Sequence, residues 1–224
     1  MNITWYGQAS FGLQASSGLT VVTDPYDPEK AGYRPFPESA DVVIISSDTD
    51  DFHDNEHLVP KKEGAAVINA LTVARGDGAV ESHGVRVSAI EAWEHPAKPT
   101  PGPNGMYRFD IDGLSVGHMG DAGDTFSDEQ LEFFRGVDVL LALAGGYPTV
   151  ELPELKRIID ETNPRLVVPM HFRTLRYRPR NGLWIGEFLA LFPDDEVDFA
   201  FSSTATITEE SLPEETRVLV LDYL

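Results

Sequence analysis

The chain contains no cysteine, so disulfide bonds and thiolate metal ligands are excluded. It also has no apolar run long enough to cross a bilayer, and we expect no membrane partner. Its first residues, MNITWYG, lack a positive segment followed by an apolar block, so no secretory signal is expected. The lack of cysteine says nothing firm about the compartment, and a cytoplasmic enzyme is the default expectation.

Basic residues are scarce: 17 Lys and Arg face 37 Asp and Glu, which gives a net charge of −20. The charge excludes the basic footprint of a nucleic-acid-binding protein, and anionic membranes should be repelled. One local exception is the arginine cluster formed by Arg173, Arg176, Arg178 and Arg180. It either contacts an anionic substrate group or is an exposed loop, and the loop is the commoner case.

A chain of 224 residues can bury one sizeable core, and we expect a single domain over residues 1–224. Hydrophobic patterning predicts strands at Ile3–Tyr6, Phe11–Ala15, Leu19–Thr23, Val42–Ser46, Ala65–Ile68, Val85–Ile90, Met106–Ile111, Leu114–Gly117, Val137–Leu143, Leu166–Val168, Val197–Phe201, Ala205–Ile207 and Arg217–Leu221. Helices are predicted after the capping box Ser127–Gln130, from Pro153 to Asn163, and at Trp184–Phe192. This order indicates an α/β (α+β) fold in which sheets pack together with helices outside.

The stretch Asp41–Asp54 carries the strongest functional signal from the residues alone. Val42–Ile45 is a continuous β-branched run, typical of a strand that is covered on both faces. Five ionisable residues follow it closely: Asp48, Asp50, Asp51, His53 and Asp54. Such a cluster past the end of a central strand is typical of an α/β active site, although a polar loop that caps the strand is the commoner case.

Three histidines end or follow predicted strands: His95, His118 and His171. Asp121 comes three residues after His118. Imidazoles and carboxylates brought together from several strand ends are the ligands that a divalent transition metal needs. Each residue alone is more often a structural polar group, so the prediction of a metal site depends on their joint placement.

Six short blocks follow one another in a recognisable order: WYGQASF (Trp5–Phe11), DPY (Asp24–Tyr26), DVVIIS (Asp41–Ser46), GHMGDAG (Gly117–Gly123), AGGYPT (Ala144–Thr149) and VPMHF (Val168–Phe172). With them the chain resembles the metallo-β-lactamase fold, in particular the branch of small metal-dependent hydrolases related to ascorbate-6-phosphate lactonase. The resemblance covers residues 3 to about 220. It implies a four-layer αββα sandwich of two mixed β-sheets with helices outside.

The chain departs from the family's metal-binding pattern, His-x-His-x-Asp-His. The four ligand positions of that pattern fall on Ser47, Thr49, Asp51 and Phe52, and the histidine of the family's first block is Gln8. The resemblance assigns His95 to the first metal, His171 to the second, and Asp121 to both. The ligands that remain for a metal are therefore Asp51, His95, Asp121 and His171, which suits one ion better than two.

In the first functional hypothesis, the protein is a metal-dependent hydrolase with one Zn²⁺, Mn²⁺ or Fe²⁺ ion. Asp51 and Asp121 hold the ion and orient a water molecule, with His171 as a further ligand. His118 either supports a ligand by a hydrogen bond from behind or transfers a proton. The substrate is a small molecule with an ester, lactone or phosphoester bond. The proline-rich segment Ala97–Gly105 and the arginine cluster border it. His53 replaces the lost histidine if it turns towards the ion.

In the second hypothesis, the fold is kept and catalysis is lost. No metal is then bound, and the protein is a ligand-binding or assembly module in which Thr49 and Phe52 fill the space of the missing imidazoles. A homo-oligomer is compatible with either hypothesis. Asp24, in DPY, is expected to brace the neighbouring loop by hydrogen bonds.

Overall fold

The structure is a computed structural model that describes residues 1–47 and 52–224. The strands are β1 (Asn2–Gly7), β2 (Ser10–Gln14), β3 (Thr20–Thr23), β4 (Ala40–Ile45), β5 (Lys61–Asn69), β6 (Ala79–Ser82), β7 (Val85–Trp93), β8 (Pro103–Ile111), β9 (Leu114–His118), β10 (Val139–Leu143), β11 (Leu166–Met170), β12 (Val197–Phe199), β13 (Thr204–Thr206) and β14 (Arg217–Val220). The α-helices are α1 (Pro28–Ala31), α2 (Ala70–Arg75), α3 (Asp128–Phe134), α4 (Leu152–Thr162) and α5 (Ile185–Leu189). Short 3-10 helices lie at Glu56–Leu58, Asp194–Glu196 and Glu209–Ser211.

Within the described residues, these strands form two mixed sheets. The first has the order β13-β1-β2-β3-β4-β5, in which β1, β2 and β3 are antiparallel and β3, β4 and β5 are parallel. The second has the order β12-β14-β11-β10-β9-β8-β7-β6, antiparallel from β6 to β9 and parallel from β9 to β12. The predicted αββα sandwich of two mixed sheets is confirmed.

Successive side chains in the strands of the first sheet point to opposite faces, so the two faces cover different core clusters. Ile3, Val42 and Ile44 belong to the main core cluster, which also contains the inner residues of the second sheet. Val43 and Ile45, one position along, belong to a smaller cluster on the opposite face. A strand that is apolar on both faces reads as a continuous hydrophobic run, which explains the DVVII signal.

The longest helix, α4, shows why the helices lie outside the sheets. Leu155, Ile158 and Ile159 are buried in the main core, whereas Lys156 and Asp160 form an ion pair of 2.6 Å on the opposite side. Such an amphipathic helix buries one stripe against a sheet and leaves the other in water.

Several local predictions are confirmed by hydrogen bonds and backbone angles. The side chain of Ser127 accepts from Gln130 N, and Gln130 Oε1 accepts from Ser127 N, which completes the capping box. Asn163 ends α4 in the left-handed conformation. Asp112 and Gly113, both with positive φ, connect β8 to β9 as a tight hairpin.

Other local predictions are wrong in extent. The irregular segment predicted at Ala97–Gly105 ends earlier, because Pro103 already pairs with Trp93 in the sheet. The helix predicted at Trp184–Phe192 spans only Ile185–Leu189. Helix α2 and strand β6 were not predicted, since each is short and carries no hydrophobic period of its own.

No helix in the described part of the chain combines the length and the apolar character that a membrane crossing requires.

Candidate metal centre

The parallel strands of both sheets deliver polar residues to one edge of the sandwich. Asp24 follows β3, and Ser46 follows β4. From the other sheet, His118 is the last residue of β9, and His171 follows β11. Carboxyl ends of parallel strands meet at the same edge, which is where α/β proteins build their sites.

Three buried side chains converge at this edge: His53, Asp121 and His171. Each offers one ligand atom, and these atoms all lie within 4.8 Å of one another. Asp121 Oδ1 is 3.6 Å from His53 Nε2 and 3.4 Å from His171 Nε2. Two imidazoles and one carboxylate are the kinds of ligand that divalent transition metals accept in proteins.

Asp24 orients the His53 ring. Its Oδ2 atom lies 2.9 Å from His53 Nδ1, so Nδ1 carries the proton and the Nε2 lone pair faces Asp121 and His171. A carboxylate behind a histidine fixes metal-binding rings in the same way. Asp24 also accepts hydrogen bonds from the amide and hydroxyl of Ser46, at 2.9 and 2.6 Å, and from the Tyr107 hydroxyl, at 3.1 Å.

Asp24 is fully buried and remains ionised. Burial by itself would raise the pKa of its carboxyl, but the facing histidine rings and the hydrogen bonds from His53 and Ser46 outweigh it and hold that pKa below its usual range. Asp24 therefore braces the neighbouring loop, as predicted, and also positions a ring that the metal would need.

His171 is held as a neutral imidazole. Burial, together with the nearby His53 ring, lowers the pKa of His171 to about 3. Its amide donates to Gln8 O at 2.9 Å, and its ring stacks on His53 with 5.7 Å between centroids. A neutral ring keeps the Nε2 lone pair that a metal ligand requires.

Three non-glycine residues around the site have left-handed backbones: Gln8, Asp24 and His171, with φ of 53°, 37° and 58°. Each such conformation costs roughly 1–3 kcal/mol and persists only where the surroundings impose it. Gln8 is buried, and its Oε1 atom finds no hydrogen-bond partner in the described part of the chain. Strain and an unsatisfied acceptor concentrated at one place indicate a binding site.

Asp121 is placed by a tight loop after β9. Its amide donates to Asn104 Oδ1 at 3.3 Å. Gly120 has φ of +60°, and a Cβ there would lie 2.6 Å from Asn104 Oδ1. Only glycine fits between Asn104 and the carboxylate-bearing residue.

Lys98 approaches Asp121 from the cleft side. Its ammonium lies 3.1 Å from Asp121 Oδ2 and 2.8 Å from Glu94 Oε1. Burial disfavours the ammonium, but the two facing carboxylates outweigh that effect and hold the pKa of Lys98 above its usual range. This lysine therefore adds a positive charge beside the donor set.

The donor set forms the floor of a cleft of 740 Å³. Residues 98–102 form one wall, Tyr177, Pro179 and Asn181 form another, and Phe52 and Tyr147 also line it. The proline-rich segment thus borders the cleft, as predicted. Clefts of 620 and 660 Å³ lie elsewhere, but the described residues that line them include no cluster of three metal donors.

The structure brings some of the predicted site residues together, and others lie outside the residues that it describes. Asp121 and His171 come together as expected, and His53 joins them. Asp51 lies outside the described residues, so its roles as metal ligand and catalytic residue stay predictions, and Thr49 lies outside them too. Phe52 lies beside Tyr177 at the cleft, with 6.2 Å between ring centroids.

His95 does not belong to the group of three donors. Its Nδ1 atom accepts from the Ala97 amide at 3.1 Å, and its Nε2 atom lies 3.6 Å from Glu151 Oε1. The ring faces Tyr147 edge-on. The prediction that His95 is a metal ligand finds no geometric support among the described residues.

His118 is completely buried, and both ring nitrogens are engaged. Nδ1 accepts from the Gly120 amide at 3.0 Å, so Nε2 donates to Ala9 O at 2.8 Å. Burial is the largest influence on the ring and lowers its pKa, and Tyr107 stacks on it at 4.6 Å. The predicted proton transfer by His118 has no free nitrogen to use in this arrangement.

The arginine cluster makes local contacts. The Arg173 guanidinium lies 4.7 Å from the Trp184 ring, and Arg178 donates to Glu29 O. Arg176, Arg178 and Arg180 are exposed, and the residues of this segment that line the cleft are Tyr177, Pro179 and Asn181. This favours the exposed-loop interpretation.

Sequence reasoning did not single out the Asp24–His53 pair or Lys98. The signal for the pair was present, because Asp24 ends a strand in DPY and His53 follows the next strand in DFHD. No pattern pointed to Lys98, which lies in an irregular segment.

Comparisons with known proteins bear on the family and the fold of the chain. The family model described as Beta-lactamase superfamily domain matches residues 2–171. A UPF0173 protein of Pyrococcus abyssi is 31% identical over 188 residues, covering 78% of this chain and 84% of that protein. A UPF0173 metal-dependent hydrolase of Thermococcus onnurineus is 25% identical over 195 residues, with coverages of 78% and 85%.

Among solved structures, a metallo-beta-lactamase superfamily protein from Thermotoga maritima matches with a TM-score of 0.76 and 30% identity, covering 100% of this chain and 99% of that chain. The predicted superfamily is confirmed, whereas the ascorbate-6-phosphate lactonase branch stays a prediction. On its sequence, its two sheets and its relatives, this chain belongs to the beta-lactamase superfamily domain family.

Proposed function

We propose that the protein is a metal-dependent hydrolase that uses one divalent ion held by His53, Asp121 and His171. The observation that carries the proposal is the convergence of three buried donor atoms, all within 4.8 Å, at the floor of a cleft. The names of its relatives, which include metal-dependent hydrolases, support the same class of activity.

Each protein group has a definite task in this proposal. A divalent ion bound there would supply Lewis-acid activation of water and of the substrate's oxygen. Asp24 keeps His53 in the tautomer that can bind, and burial keeps His171 neutral.

We propose a small molecule with an ester, lactone or phosphoester bond as the substrate. The cleft volume of 740 Å³ lies within the range of small-molecule sites. Besides the three donors, its lining combines tyrosine and proline side chains with polar groups, namely Gln8, Glu94, Lys98, Thr100 and Asn181. Zn²⁺, Mn²⁺ and Fe²⁺ are the candidate ions, because two imidazoles and a carboxylate suit all three.

Metal content is the experiment that tests this proposal. We expect elemental mass spectrometry to find about one ion per chain in untagged protein purified without chelator. Asp121→Asn should remove it, while Asp110→Asn, a change at an exposed aspartate, should not. Hydrolysis of ester, lactone and phosphodiester substrates should disappear with a chelator and return with the metal. A metal-free protein that also fails to take up Zn²⁺ or Mn²⁺ contradicts the proposal.

One observation favours a second candidate function, a ligand-binding module that works without metal. The Lys98 ammonium already neutralises part of the charge on Asp121. In that case the cleft would bind small molecules with unchanged affinity in the presence of chelator.

A further inference from the structure

The two oxygens of Asp121 face different kinds of partner. Oδ1 faces the imidazoles of His53 and His171, at 3.6 and 3.4 Å. Oδ2 faces the Lys98 ammonium at 3.1 Å. The carboxylate therefore has a metal-binding side and a lysine side.

The loop around Lys98 is built to hold the ammonium in place. Glu94 N donates to Gly102 O at 3.0 Å, and Gly102 N donates to Glu94 Oε2 at 2.8 Å, so the loop is closed at its base. The second oxygen of Glu94 accepts from Lys98 at 2.8 Å. Lys98 is 21% exposed, compared with 41% for Lys62, which pairs with a surface aspartate.

The position on the Oδ2 side has no imidazole among the described residues. His95, which lies three residues before Lys98 in the sequence, presents its Nε2 atom to Glu151. A fixed unit charge beside a carboxylate opposes the approach of any further cation to that carboxylate.

We propose that Lys98 is a built-in cation that occupies the place of a second metal ion at Asp121. The inference rests on the proposed single-metal function. It restricts the site to one divalent ion and sets the affinity for that ion, because the ammonium competes for the charge of Asp121. Lys98 is thus a positioning residue: it acts through Asp121 and the charge of the site.

The test is metal titration of chelator-stripped protein by isothermal calorimetry with Mn²⁺ and Zn²⁺. Lys98→Met keeps the side-chain length and removes the charge, and it should bind the ion at least about tenfold more tightly than wild type. Lys98→Arg keeps the charge and should stay near the wild-type affinity. Lys62→Met removes an exposed lysine and should change the affinity less than about twofold, because exposed charges are screened.

Two further readouts keep the result interpretable. Lys98→Gln retains a hydrogen-bond donor without the charge, and it replaces Lys98→Met if that variant loses its native circular dichroism spectrum. Native mass spectrometry of wild type with excess Zn²⁺ should show one ion per chain. Two ions in wild type overturn the inference, as does unchanged or weaker affinity in the uncharged variants.

The remaining outcomes separate this inference from the proposed function. If wild type binds no ion but Lys98→Met binds one, Lys98 is the resident cation and the metal-dependent function of wild type is overturned. If neither protein binds an ion, both are overturned. If both bind with equal affinity, the proposed function stands and the role of Lys98 is overturned.

Discussion

At the scale of single residues, the orientation of one imidazole decides whether the donor set exists. If Nδ1 of His53 faced water, no contact would fix the ring with Nε2 towards Asp121. Asp24 fixes this orientation with a hydrogen bond of 2.9 Å to Nδ1. The same carboxylate is fixed in turn by Ser46 and Tyr107, so the orientation is transmitted from the strand ends to the ring.

His53→Ala should bind Zn²⁺ or Mn²⁺ much more weakly than wild type, by at least about 100-fold, because one of three donors is lost. His57→Ala removes an exposed histidine four positions along and should leave the affinity unchanged. Competition with a fluorescent chelator measures both. An unchanged affinity in His53→Ala would remove His53 from the site.

Asp24→Asn should weaken metal binding by about 10- to 100-fold, since the carboxylate that orients His53 becomes a neutral amide. The variant also loses part of the network to Ser46 and Tyr107, so its free energy of unfolding should fall as well. The two effects are separated by measuring metal affinity at a urea concentration far below the unfolding midpoint. Wild-type affinity in the folded variant would contradict the orienting role.

At the scale of elements, strand ends and the loops after them place the donors. The loop after β9 turns so tightly at Gly120 that Asn104 lies against it. Gly84 is a useful contrast, because its φ of +75° is similar but a Cβ there would meet nothing within 4 Å. The two glycines therefore share backbone strain and differ in steric contact.

Gly120→Ala should lower the free energy of unfolding by at least about 1 kcal/mol more than Gly84→Ala, because only the first adds a steric clash to the strain. It should also weaken metal binding, since Asp121 is the next residue. Urea denaturation and metal titration of both variants provide the comparison. Equal losses in the two variants would show that the contact with Asn104 does not matter.

The elements that sequence patterns predicted are those with strong local signals. The buried runs at β4 and β10, the Ser127 capping box and the Asp112–Gly113 turn are confirmed. Helix α2 was missed because six residues capped by the Asn69 side chain depend on packing against β7 and β8 rather than on periodicity. The Lys98 contact was also beyond prediction, because it depends on how the irregular loop between β7 and β8 is placed beside the loop after β9.

The same distinction between local sequence signals and tertiary contacts applies to the residues of the candidate site. Asp121 and His171 could be predicted because each belongs to a short block at a strand end. His118 and His95 have the same sequence signal, yet Ala9 and Gly120 engage both nitrogens of His118, and His95 lies outside the group of three donors, with Nδ1 bonded to Ala97 and Nε2 facing Glu151. A strand-end histidine shows that a residue is near the site, and only its hydrogen-bond partners show whether it can bind.

At the scale of the whole molecule, burial of neutral histidines links stability to pH. Burial lowers the pKa of both His118 and His171 in the folded protein, the latter to about 3. The unfolded chain takes up protons on these rings below about pH 6.5, where the folded protein does not. Their contribution to stability is therefore complete above pH 6.5 and is lost as pH falls below it.

The free energy of unfolding of metal-stripped protein should fall between pH 7 and pH 5, with a slope of up to about 1.4 kcal/mol per pH unit for each buried ring. His118→Gln should reduce that slope, and His57→Gln controls for loss of a histidine as such. Urea denaturation at several pH values measures it. A slope that His118→Gln leaves unchanged would mean that His118 is not held neutral by the fold.

The most direct test of the whole account is the position of a bound ion. Crystals soaked in Zn²⁺ should give one anomalous difference peak per chain, between His53 Nε2, Asp121 Oδ1 and His171 Nε2, with Lys98 on the other oxygen of Asp121. A peak at that point establishes the single-metal centre. No peak, or a peak coordinated by His95 or His118 instead, contradicts it.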